Sequence, residues 1–114
     1  MNTLKALVEQ NHVVWLYCRT KELSKQFLKQ CEDEGFLALN GQKPTELGLN
    51  DLFGINHNMT MGYLMRMCWA LGDSGAAIDV GTGEHVSRPV RIDYEKYLEG
   101  GVKNAVITLD AIIR

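Results

Sequence analysis

Leu4, Leu7 and Val8 recur at helical spacing, which predicts a short amphipathic helix over residues 3–10. The pattern then changes. His12 to Cys18 reads His-Val-Val-Trp-Leu-Tyr-Cys, nearly all apolar, β-branched or aromatic, and predicts a strand buried on both faces and central in a sheet. Thr20 offers a helix N-cap, and Glu22 stands in the first turn, where the helix dipole favours an acid. Leu23, Phe27, Leu28 and Cys31 form one apolar face, and Gly35 closes the helix.

Residues 36–39 predict a short strand, and Asn40-Gly41 a chain reversal whose residues tolerate positive φ. Pro44-Thr45-Glu46 starts like a helix, but Gly48 and Gly54 weaken its continuation, so residues 45–53 are expected to be a short or irregular helix. Over residues 59–71 two periods compete. Met61, Leu64, Met65, Cys68 and Trp69 fit a helix face, whereas Met61, Tyr63, Met65, Met67 and Trp69 alternate as in a strand. The strand is preferred, because its other face (Thr60, Gly62, Leu64, Arg66, Cys68, Ala70) is smaller and more polar. Residues 72–84, punctuated by Gly72, Gly75, Gly81 and Gly83, read as a loop with a short strand at 77–80. Residues 86–94 form a further strand, which Pro89 confines to an edge, a strand start or a bulge. Val102, Ala105, Val106, Leu109, Ile112 and Ile113 suit a C-terminal helix, with a terminal strand left open by their β-branched content. The whole predicts one α+β domain over residues 1–114, with a mixed or antiparallel sheet of about four strands packed against two or three helices.

Composition narrows the function classes. With 114 residues, 46% apolar and 23% charged, the chain can enclose one core. Twelve basic against fourteen acidic side chains give a net charge of −2, so neither nucleic acid nor a membrane surface is an expected partner. No apolar stretch approaches the ~20 residues of a membrane span, and the charged start of the chain does not fit an export signal. The expected location is the cytoplasm. Three widely spaced cysteines, Cys18, Cys31 and Cys68, suit free thiols. His12, His57 and His85 are scattered, with no cysteine pair beside them, so no metal and no cofactor is expected. The acidic run Glu32-Asp33-Glu34 sits at the helix end where the dipole prefers cations, and reads as solvated surface or as a contact for a basic partner.

Three groupings could carry chemistry. Ile78-Asp79-Val80-Gly81-Thr82-Gly83 is similar to the phosphate loop of actin-like ATPases and to the first glycine loop of methyltransferases, although both place that string near the start of a much longer domain. An ordinary glycine turn is the simpler reading. Gly81 and Gly83 with Arg66, Arg88, Arg91 and Lys96, and with the rings of Tyr63, Trp69 and Tyr94, could nonetheless hold a small anionic, aromatic ligand such as a nucleotide signal. Cys18, at a strand end before a helix, is positioned as a nucleophile would be. With Ser87-Arg88-Pro89-Val90 and Gly100-Gly101 it resembles a glutaredoxin-like thioredoxin fold, but lacks Cys-x-x-Cys. A buried core thiol is the competing reading, and no catalytic residue is assigned outside it.

Val14-Trp15-Leu16-Tyr17-Cys18, then Lys21-Glu22 and Phe27-Leu28 leading into Glu34-Gly35-Phe36, followed by Lys43-Pro44-Thr45-Glu46, resembles a group of small bacteriophage and prophage proteins over about a third of the chain. The resemblance implies a phage setting, the host cytoplasm, and a non-enzymatic protein that antagonises host defence by stoichiometric binding to a defence protein through a sheet edge or the acidic helix end. Sequestering a nucleotide signal and thiol catalysis by Cys18 are the alternatives. An uncovered apolar sheet face from Met61 to Trp69 would favour a homodimer.

Overall fold

The computed structural model describes residues 2–11, 13–64, 69 and 90–107. The first helix, α1 (Leu4–Gln10), starts where the Thr3 side chain accepts from Ala6 N. Strand β1 (Val13–Tyr17) comes next, and then α2 (Lys21–Asp33), whose Thr20 cap accepts from Leu23 N. Gly35, at φ +93°, takes the left-handed conformation that ends α2 and turns the chain into β2 (Leu37–Ala38). Pro44–Glu46 is a single 3-10 turn, after which come β3 (Leu52–Asn56) and β4 (Thr60–Tyr63). Strand β5 (Val90–Asp93) runs straight into α3 (Tyr94–Gly100), because the Asp93 carboxylate caps it by accepting from Lys96 N.

The five strands lie in the order β2-β4-β3-β1-β5. Pairings β1–β3 and β3–β4 are antiparallel, and β1–β5 and β2–β4 parallel, so the sheet is mixed and the fold α+β. Period-two alternation sorts its side chains. Val14, Leu16, Phe53, Ile55, Met61 and Ile92 face α1, α2 and α3 and share one core with Leu4, Leu7, Phe27, Leu28, Cys31, Tyr94 and Tyr97. On the opposite face Val13, Trp15 and Leu52 gather with Leu64 and Trp69.

Three expectations are corrected. Residues 45–53 hold no helix beyond one 3-10 turn, and Leu52 opens the fully buried strand β3. At Gly54 a Cβ would stand 3.5 Å from the Trp15 ring, an ordinary van der Waals contact. Of the strand expected at 59–71, β4 covers Thr60–Tyr63, with Leu64 N still donating to Leu52 O, and Trp69 is helical. After α3 the chain makes a 3-10 turn at Val102–Asn104, and Val106 then bridges to Ile92. The expected strand at 77–80, the loop at 72–84 and the tail beyond 107 lie outside the described residues.

Candidate functional site

Both outer strands have their free sides engaged. Beyond β5, Asp93 N donates to Ala105 O at 2.8 Å and Ile107 N to Arg91 O at 3.0 Å. Beyond β2, the Asn40-Gly41 turn folds back so that Ala38 N donates to Gln42 O and Ala38 O accepts from Gly41 N. An edge closed in this way does not invite another strand, so what β2 offers is side chains rather than backbone. Leu37, Leu39 and Tyr63 are 50%, 52% and 51% exposed, high values for large apolar groups. Leu39 reaches over Gly62, where a Cβ would meet its Cδ1 at 3.4 Å. Tyr63 rests its ring 5.9 Å from that of Phe53. Its hydroxyl accepts from Gly48 N at 2.6 Å and donates to Gly48 O at 3.2 Å. Leu39, Tyr63, Leu47, Ala38, Asn40 and Gly62 enclose a hollow of about 250 Å³.

A second hollow, of about 320 Å³, lies where β1 ends and α2 begins; Cys18, Thr20, Lys21, Ser24, Asn50 and Asp51 are among its walls. Arg19 beside it pairs with Glu95 at 2.6 Å. Cys18 is 1% exposed, and burial, then the charges of Asp93 and Asp51, push its thiol well above the ordinary value. Burial does the same to Cys31, with Glu34 and Cys18 adding to it. Such thiols are core groups rather than poised nucleophiles. They also make stability alkali-sensitive. The folded chain holds both protons more tightly than the unfolded chain, so this contribution is complete below the ordinary thiol value of about 8.5 and is lost as pH rises above it. The unfolding free energy from urea titration, and with it the midpoint, is expected to fall above that pH, the free energy by up to about 1.4 kcal/mol per pH unit for each thiol. A midpoint that stays level from neutrality to pH ~10 would show that the thiols are not buried.

Of the ligand residues expected from sequence, the described ones do not all come together. Arg91 and Trp69 do meet: Arg91 Nη2 donates to Trp69 O at 2.6 Å, and its guanidinium carbon lies 5.6 and 5.4 Å from the Trp15 and Trp69 ring centres. That group faces inward, with Arg91 only 6% exposed. Tyr63, in register with Phe53, belongs to the helix-covered face, while Arg91 pairs with Trp15 on the other face, with β3 and β1 between the two strands. Tyr94 is core, its hydroxyl donating to Gln30 Oε1, and Lys96 is exposed on α3. Arg66, Gly81, Gly83 and Arg88 lie outside the described residues.

The acidic helix end is engaged internally rather than simply solvated. Glu34 accepts from Leu4 N at 3.0 Å, Lys5 N at 2.8 Å and Gln30 Nε2 at 2.7 Å. Its charge, misplaced for α2, thus faces the positive end of α1. Glu32 accepts from Thr45 Oγ1, a bond that lowers its carboxyl below the usual range. Met61, Leu64 and Trp69 are buried, so the apolar sheet face expected to favour a homodimer is covered at those positions.

No family model, curated protein or solved structure matches the chain. Among the described residues, no group of three His, Cys, Asp or Glu side chains is placed to hold a metal ion. No helix among them is long and apolar enough to cross a membrane. Sequence reasoning passed over Leu37 and Leu39. The Asn40-Gly41 reversal marked the place, but two residues of strand do not say which side chain faces out.

Proposed function

We propose that the protein is a non-enzymatic, phage-type binding protein that antagonises a host defence protein by stoichiometric binding, with Leu39 and Tyr63, which line one hollow, as its contact surface. The observation that carries the reading is the half-exposure of Leu39 and Tyr63, both of which line a hollow of about 250 Å³. Apolar groups left in water at one place mark interaction surfaces, and tyrosine beside a pocket is a common anchor. The hollow suits an apolar side chain of the partner, while the closed backbone of β2 favours side-chain packing over strand addition. The class of partner rests on the sequence resemblance alone. Nucleotide sequestration draws less support, because Arg91 and Trp69 spend their contacts on each other, and thiol catalysis less again, because Cys18 is buried.

The test is binding of the purified protein to a panel of purified defence effectors, read by size-exclusion chromatography with light scattering. One effector should form a complex of fixed stoichiometry, and Leu39→Asp should weaken it at least about tenfold while leaving the melting temperature nearly unchanged. Native mass spectrometry of protein taken from cells rich in nucleotide signals serves as the counter-test. A retained nucleotide adduct with no effector complex, or a complex indifferent to Leu39→Asp, would reject the proposal.

A further inference from the structure

The two hollows share a part. Residues 47–51, which join the 3-10 turn to β3, are held at separate points along their length. Gly48 N and O both bond the Tyr63 hydroxyl, Asn50 N donates to Ser24 Oγ at 3.2 Å, and Asp51 O accepts from Cys18 N at 2.7 Å. Leu49, Asn50 and Asp51 stand in the wall of the hollow that also contains Cys18, while Leu47, Leu39 and Tyr63 line the other. Leu47 packs against the core at one end of the segment, but Leu49 is 42% exposed, so little apolar burial holds its middle down.

We propose that residues 47–51 are a strap that closes over Cys18 and that the Tyr63 phenol is its latch. Segments held by a few surface hydrogen bonds open locally at far lower cost than the domain unfolds. Of the strap's bonds, the two to Tyr63 are made by an exposed side chain that can swing away from Gly48. A partner side chain entering the hollow beside Leu39 would displace that phenol and so loosen the wall of the second hollow. The strap itself does not depend on who that partner is, since it is a property of the free protein.

Cysteine chemistry reads the strap directly. Cys18 is 1% exposed and lines one hollow with the strap's Leu49, Asn50 and Asp51, whereas Cys31, fully buried on α2, reports wider unfolding. Native protein is treated with N-ethylmaleimide, quenched at intervals, and mapped by peptide mass. Tyr63→Phe keeps the ring beside Phe53 and removes both bonds to Gly48, so Cys18 should be modified about tenfold faster, with the Cys31 rate unchanged. An unchanged Cys18 rate would overturn the proposal. So would acceleration of Cys18 and Cys31 in step, which would mean general loosening of the core instead of a local opening.

Discussion

Phe27→Ala is expected to remove about 4 kcal/mol of stability, more than any other single truncation proposed for this chain. Phe27 is fully buried on α2, its ring 4.8 Å from that of Phe53 on β3 and 5.4 Å, edge-on, from that of Tyr94 on α3. One side chain therefore joins the central helix to the sheet and to the third helix. Its loss adds the cost of an unfilled cavity to lost transfer energy, and ends two aromatic contacts worth about 0.5–1.5 kcal/mol each. Against the roughly 5–15 kcal/mol that stabilises an ordinary domain, this is a large share. Urea unfolding followed by far-UV dichroism would show a much lower midpoint at similar slope. A loss under about 1 kcal/mol would mean that α2 does not pack on the sheet through this ring.

On the other face of the sheet, Arg91→Ala is expected to cost about 3 kcal/mol. The guanidinium touches two indole rings and donates to the Trp69 carbonyl in a place where water has little access. Removing it ends two cation–π contacts and leaves a buried carbonyl without that donor, and the second cost exceeds the net worth of an ordinary hydrogen bond. Lysine keeps the charge but not the planar fork, so Arg91→Lys should recover less than half of the loss. Fluorescence gives a clean readout. The chain has 2 tryptophans, and both, Trp15 and Trp69, belong to this cluster with ring centres 6.3 Å apart. Emission should shift to the red in both variants, more in the alanine one. Unchanged emission and stability in Arg91→Ala would remove the cluster's role in holding Trp69 to the sheet.

The sequence by itself determined the parts whose causes are local. The strand at 13–17, the Thr20 cap, the apolar face Leu23-Phe27-Leu28-Cys31, the Gly35 terminus and the Asn40-Gly41 reversal arise from periodicity, capping and backbone sterics within a few residues, and the structure has each of them. Pro89 confined its strand to an edge, a strand start or a bulge, and β5 (Val90–Asp93) is an outer strand of the sheet. What the tertiary structure alone decided depends on segments far apart in the chain. Leu52–Asn56 became a strand because β1 and β4 offered it partners on both sides. Glu34, unfavourable for its own helix, became useful because α1 brought two amides to it. Arg91 turned inward because two indoles met over it, and Leu39 and Tyr63 were left outside because the sheet ends at β2. Local rules read torsion preferences and short-range bonds, whereas pairing, burial and exposure are settled by which distant surfaces meet, and no window of neighbouring residues contains that information.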